Sequence, residues 1–157
     1  MAKVAQRQVL ARVQPHGTQQ ITDLPKFETF RFAQVSGGEI TASVEKIYEG
    51  GNDFPTVLCA PFDIGDITLT AHYDDDRVAS DGATGIAAKV AKLREYVGKA
   101  YYDITIETYD CDIKKPGLDR MYSKALLVGL TEPDGDSSSG APSTFALTFS
   151  ISKVASK

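Results

Sequence analysis

The densest group of chemistry-bearing side chains is Asp74, Asp75 and Asp76, with Asp81 close behind. Carboxylates gathered like this hold hard cations when their spacing follows a coordination loop. The calcium-loop pattern needs Gly at its sixth position and a carboxylate at its twelfth. Counted from Asp74, those positions hold Ala79 and Gly85, so the run reads as a solvated turn at a strand end. Gly82 and Gly85, in D-G-A-T-G-I-A-A-K, stand where a helix entry could cradle an anion. The segment has neither the GK[ST] ending of a P-loop nor the third glycine of a dinucleotide fingerprint, and helix entry alone accounts for both glycines. His16 and His72 are the two histidines, and no G-x-S-x-G elbow offers either of them a nucleophile. Cys59 and Cys111 stand alone, without the C-x-x-C spacing of zinc or redox sites. No carboxylate pair lies in an apolar stretch that would hold one of them protonated for acid catalysis. The expectation is a protein with no catalytic residue, no cofactor and no metal, and not an enzyme.

The elements that would position a site are legible from composition and period. The chain has 157 residues, 42% hydrophobic and 24% charged. That suits one domain with a core large enough to stand without disulfide or metal staples. Seventeen basic against 21 acidic residues give a net charge of -4, whereas nucleic-acid binders carry a basic surplus to neutralise phosphate. A mildly acidic surface would let DNA slide past without sticking. No apolar run has the length of a membrane span, and Met1 to Ala11 lacks the apolar core of a secretory signal.

Residues 1–25 are polar, carry Pro15, Gly17 and Pro25, and read as an N-terminal arm with a short strand near Val9 to Val13. Residues 26–157 form the single folded domain. Phe27 to Val35 and Ile40 to Ile47 are expected as two strands of a hairpin turning at Gly37-Gly38. Tyr48 to Asp63 is expected as a long loop, because Gly50, Gly51, Pro55 and Pro61 interrupt it. Its Phe54, Val57, Leu58 and Phe62 make it too apolar for water, so it should lie against another subunit. Ile64 to Tyr73 alternates Ile67, Leu69 and Ala71 with Thr68, Thr70 and His72, the pattern of a half-buried strand. Ile86, Val90, Leu93 and Val97 mark one stripe of a helix from about Thr84 to Val97, with Lys89, Lys92 and Glu95 off the stripe and Gly98 as its left-handed stop. Ser80 or Asp81 would cap its start. Tyr101 to Asp110, Met121 to Leu130 and Ser143 to Lys153 read as further strands, and Thr131 to Ser143 as a flexible polar loop. The fold class is therefore mainly β, with one helix (α+β). About six strands would form an antiparallel sandwich or barrel, and one α-helix would pack on it.

The outward faces of these strands carry Thr and Ser in place of Lys and Glu. Bare sheet edges invite aggregation, and a ring of several copies would remove them. This order of elements, with ITLTAHYDDD before the helix and YYDITIETYD after it, resembles the tail tube fold. Major tail tube proteins of bacteriophages, the inner tubes of contractile injection systems and the type VI secretion tube share that fold. The resemblance implies a structural virion protein without catalytic residues. Six copies would close into rings, rings would stack into a tube, and the lumen would conduct DNA without binding it specifically. Phe54, Val57, Leu58 and Phe62 would lie in an inter-ring loop, and the N-terminal arm would bridge neighbours. Thr41, Ser43 and Glu45, with Thr68, Thr70 and His72, would face the lumen. A tape-measure protein and a tail terminator would be partners, with assembly in the host bacterial cytoplasm. A tail terminator or connector ring, and the inner tube of a contractile injection or type VI system, are the alternatives. A small β-barrel enzyme or ligand-binding module would need a pocket with convergent polar groups.

Overall fold

The structure, a computed structural model, describes residues 9–21, 24, 25, 27, 32, 34–72, 86–110, 113, 114, 119–132, 138 and 143–154. In chain order its elements begin with β1 (Val9–Pro15), β2 (Gln34–Gly37), β3 (Ile40–Ala42), β4 (Lys46–Ile47), β5 (Thr56–Val57), β6 (Phe62–Ile64) and β7 (Ile67–His72). They continue with α1 (Ile86–Leu93), β8 (Tyr101–Asp110), β9 (Ile113–Lys114), β10 (Arg120–Thr131), β11 (Thr144–Ser150) and β12 (Lys153–Val154).

Period-two alternation builds the sheet, because a pleated strand sends successive side chains to opposite faces. Ile67, Leu69 and Ala71 are buried on β7, Tyr102, Ile104 and Ile106 on β8, and Phe145, Leu147 and Phe149 on β11. The strands lie in the order β1-β8-β10-β11-β7-β2. Every neighbouring pair is antiparallel. The sheet curls into a half-barrel, so the sandwich-or-barrel expectation resolves to one curved sheet with a helix on one side. β9 folds back on the end of β8, and β12 pairs with the first half of β10.

Two bulges lie in β10, and bulges bend a strand and sharpen its twist. Ser123 and Lys124 together stand opposite Asp103, since Tyr122 pairs with Ile104 and Ala125 with Tyr102. Lys124 takes a positive φ of 55° there. The Asp103 carboxylate accepts a hydrogen bond from the Lys124 backbone N–H at 3.0 Å and faces His16 Nδ1 at 2.9 Å. Val128 is the extra residue of the second bulge, beside Gly129.

The core forms on one side of the sheet. Val90 and Leu93 of α1 are buried there with Leu24, Phe27 and Phe32. Tyr102 packs edge-on against Phe149, with ring centroids 5.8 Å apart. Its hydroxyl donates to the Pro25 carbonyl at 3.2 Å, and burial pushes its phenol well above the usual range. The helix is shorter than its pattern predicts: it ends at Leu93, and turns carry the chain to Lys99. Gly98 does adopt a positive φ, of 81°. Lys89, expected off the apolar stripe, is instead buried, with Nζ 5.4 Å from the centre of the Phe27 ring. A long methylene stem lets a lysine cover apolar surface in this way.

The largest departure concerns residues 34–72. Gly37-Gly38 is not a hairpin turn, because β2 and β3 do not pair with each other. β2 pairs with β7, β3 with β6 and β4 with β5. The register runs unbroken from Gln34↔Thr70 through Ile40↔Ile64 to Ala42↔Phe62. It resumes one residue shifted at Lys46↔Val57 and Ile47↔Thr56. The expected loop is thus the returning limb of one long hairpin, whose base lies in the sheet and whose remainder, 38–66, leaves it as an arm. Gly50 and Gly51 turn at the tip, with the Asn52 N–H bonded to the Glu49 carbonyl.

Gly37 marks the point of departure. Its φ is 91°, and a Cβ there would lie 1.9 Å from the Asp66 carbonyl oxygen. A left-handed conformation costs a non-glycine residue about 1–2 kcal/mol, and backbone offers no flexible side chain to yield. Gly37→Ala is expected to lose about 3 kcal/mol or more of stability, a fall in Tm of roughly 10 °C by circular dichroism.

Of the expected strand Phe27 to Val35, Val35 lies in β2, Phe27 bridges Val13, and Phe32 is in the core. The positions between them fall largely outside the described residues. So do Asp74, Asp75, Asp76, Asp81, Gly82, Gly85, Cys111 and most of the 131–143 loop.

Candidate assembly surfaces

Three features stand wholly or partly open among the described residues. The first is the face of the sheet away from the core. Register brings Thr68 between Ser36 and Thr148, and Thr70 between Gln34 and Ala146. Thr68 Oγ1 and Thr148 Oγ1 stand 3.4 Å apart, and Ser150 continues the row on β11. His72, opposite Thr144, is exposed at the end of β7. Across β2, β7 and β11 this face carries no Asp, Glu, Lys or Arg. Charge appears only on the other half of the sheet. There Arg12 Nη2 lies 3.4 Å from Glu107 Oε2, and His16 lies against Asp103. The face is hydroxyl-lined in one half and charged in the other.

Thr68, Thr70 and His72, expected together, do share this face. Thr41, Ser43 and Glu45 do not join them. They stand exposed on the arm, Thr41 paired with Asp63. Sequence reasoning overlooked Ser36, Thr148 and Ser150. Their alternation was visible, but only strand order sets them beside Thr68.

The second feature is the pair of sheet edges. β2 has no partner strand on its outer side among the described residues. On the outer side of β1 the one engagement among the described residues is at Val13, a two-way backbone bridge to Phe27. Beyond Pro15 the Gln19 side chain takes over the ladder: its amide accepts from the Tyr101 N–H and donates to the Tyr101 carbonyl, both at 2.9 Å.

The third feature is the arm. Phe54 is 85% exposed, Tyr48 72%, Phe62 65% and Ile40 61%, and Val57 and Leu58 are exposed as well. An isolated two-stranded hairpin is marginal in water, and large apolar patches mark interaction surfaces. The four residues expected in a contacting loop, Phe54, Val57, Leu58 and Phe62, are all on this arm. Pairing sets Phe62 and Ile64 on the same arm face as Ile40 and Ala42, with Thr41 and Asp63 behind.

No group of three or more His, Cys, Asp or Glu among the described residues could hold a metal ion. No described helix is long and apolar enough to cross a membrane.

By sequence the chain matches no protein-family profile and no curated protein. By shape it is similar to a chain of the anti-feeding prophage baseplate, solved by cryo-electron microscopy. The TM-score is 0.73 at 17% identity, over 99% of this chain and 95% of that one. A chain of the extended PVC sheath-tube complex, an extracellular contractile injection system, gives 0.67 at 16% identity, over 98% and 90%. A chain of the PVC sheath/tube terminator gives 0.69 at 15%, over 99% and 96%.

This chain has the tail-tube fold. The likeness spans nearly the whole of this chain and 90–96% of each of those chains. Among the described residues the hydroxyl-lined face, the β2 edge, most of the β1 edge and the arm are the parts left open.

Proposed function

We propose that this chain is a structural, non-enzymatic tube subunit of a phage-tail-like contractile injection machine. In this reading the β2 and β1 edges of neighbouring copies join, six copies close a ring, and the curved sheets become one continuous inner barrel. The half-barrel supports this, since closure is the one arrangement that leaves no edges. The face bearing Thr68, Thr70, His72 and Thr148 would then line the lumen. With no unpaired charge on the β2–β7–β11 half, it would hold neither phosphate nor protein side chains strongly, which suits a conduit for DNA or for a protein cargo. Rings would stack through the arm, with residues 1–25 bridging neighbours beyond the part that β1 contributes to the sheet. Thr41, Ser43 and Glu45, carried on the arm, belong to the stacking surface and not to the conduit. A tape-measure protein and a terminator would be the partners, and the assembled tail the location.

The observation that carries this reading is the arm's uncovered apolar surface. The relatives from a sheath-tube complex support a contractile setting over a long non-contractile tail. Electron microscopy of the purified chain, with sedimentation over a range of concentrations, tests it. Rings or tubes are expected, and a monomer at every concentration would overturn the reading. The likeness to a sheath/tube terminator chain favours one second reading, a cap made in few copies. Mass spectrometry of intact particles separates the two, because a tube subunit would rival the sheath in abundance.

A further inference from the structure

The charged half of the open sheet face is built around the first bulge of β10. On β8, Tyr101 and Asp103 alternate with buried Tyr102 and Ile104, so both lie on that face. Val154 pairs with buried Tyr122, and Lys153 with Ser123, which sets Lys153 on the same face as Asp103. Lys124 shares the bulge with Ser123, and its Nζ lies 5.1 Å from the centre of the Tyr101 ring. Asp103, Lys124 and Lys153 thus form one row across β8, β10 and β12.

The other charges in this half have partners. Arg12 is tied to Glu107, and Asp103 is engaged by His16 and by the Lys124 N–H. Lys124 and Lys153 are exposed, and neither has a carboxylate at ion-pair distance among the described residues. Placing them there works against the fold. Lys124 takes a φ of 55°, a left-handed conformation that glycine adopts without strain and a lysine does not. Like charges on adjoining strands repel. Strain of this kind persists where it serves a site, and here it presents two unpaired cations beside an aromatic ring.

We propose that Lys124 and Lys153 are a contact site for the carboxylates of an acidic polypeptide travelling along this face. The proposal rests on the tube reading above and names the chemistry of its cargo. Ring closure would bring the two lysines of every copy around one lumen. Each exposed lysine–carboxylate pair is weak and screened by salt, so the cargo is held by number and still released. Nucleic acid fits less well, because its phosphates follow one another without a gap and Asp103 stands in the lysines' own row. The forked guanidinium that best suits phosphate belongs here to Arg12, which Glu107 occupies. A polypeptide can set single carboxylates against the lysines and uncharged side chains elsewhere.

Co-sedimentation with assembled tubes tests it, using a glutamate-rich peptide, a lysine-rich peptide and an oligothymidylate of equal length. Unmodified tubes are expected to retain the glutamate peptide, less so as salt rises, and not the lysine peptide. Lys124→Gly with Lys153→Gln is expected to cut that retention about tenfold. Glycine removes the strain along with the charge, so the variant's circular dichroism melt should fall at or near that of the unmodified chain. Equal retention by the variant tubes would overturn the proposal and leave the tube reading in place. Tighter retention of oligothymidylate than of the glutamate peptide would do the same. Absence of tubes from the unmodified chain would remove the tube reading instead. The site is then read on the soluble chain by nuclear magnetic resonance. Shifts of the Ser123, Lys124 and Lys153 amides on adding the glutamate peptide would uphold it, and unmoved amides would overturn it.

Discussion

Leu93→Asp is expected to abolish the fold. Leu93 is fully buried on α1, where it and Val90 close the apolar side of the sheet. Truncating a buried leucine costs about 2–5 kcal/mol through lost contacts and the cavity left behind. A carboxylate at the same point adds several kcal/mol, the cost of taking a charge out of water. The sum is comparable to the whole stability of a domain, about 5–15 kcal/mol. An eight-residue helix has little stability of its own, so once Leu93 is expelled α1 should detach and bare the sheet's apolar face. The measurement is circular dichroism of the soluble fraction, expected to lose its cooperative melt. Leu93→Met, which nearly conserves volume, should cost less than about 1.5 kcal/mol. A cooperative transition for Leu93→Asp near that of the parent would refute the placement of α1.

The contrast between Leu93 and the arm also marks what sequence could reveal. Alternation is informative where one face is buried, because a slip of one residue would turn every apolar side chain to water. That constraint acts on 67–72, 101–110 and 144–150, and each of these was readable as a strand with its buried side assigned. Val90 and Leu93 likewise disclosed the core side of the helix. In 40–63 neither limb has a buried face to enforce, so the same alternation could not say what pairs with what. Gly37 and Gly38 look in sequence like a turn, and a positive φ is needed either way. Only the carbonyl of Asp66 packed against Gly37 distinguishes a strand leaving a sheet from a strand doubling back. Thr68 and Thr70 were recognised as a polar face. Their companions Ser36 and Thr148 come from strands distant in sequence, and strand order is a long-range property that local pattern does not encode. The shift of Lys89 into the core has a similar origin. Its charge argued for solvent, while its methylene stem and the Phe27 ring decided otherwise.

The arm yields the second large effect, opposite in kind. Phe54→Asp combined with Phe62→Asp is expected to eliminate tubes while leaving the monomer folded. Both rings already stand in water, and exposed substitutions away from packed features change stability by about 0.5 kcal/mol or less. The monomer's Tm should therefore move by no more than about 2 °C. Assembly responds differently. A phenylalanine buried at a contact contributes about 1.5–3 kcal/mol, so losing two raises the free energy of each arm contact by about 4 kcal/mol. That corresponds to about a thousandfold rise in the concentration required. Two further carboxylates on an arm already at a net charge of -5 push in the same direction. Phe54→Leu, which keeps an apolar side chain, should still form tubes. Sedimentation and electron microscopy at matched concentrations read the outcome. If the double variant still forms tubes, the apolar arm is not the stacking contact. If it loses its melt together with its tubes, the arm is packed against its own subunit. Persistence of the fold with loss of the filament is the result that separates an interface from a core, and Leu93 supplies the reverse case in the same molecule.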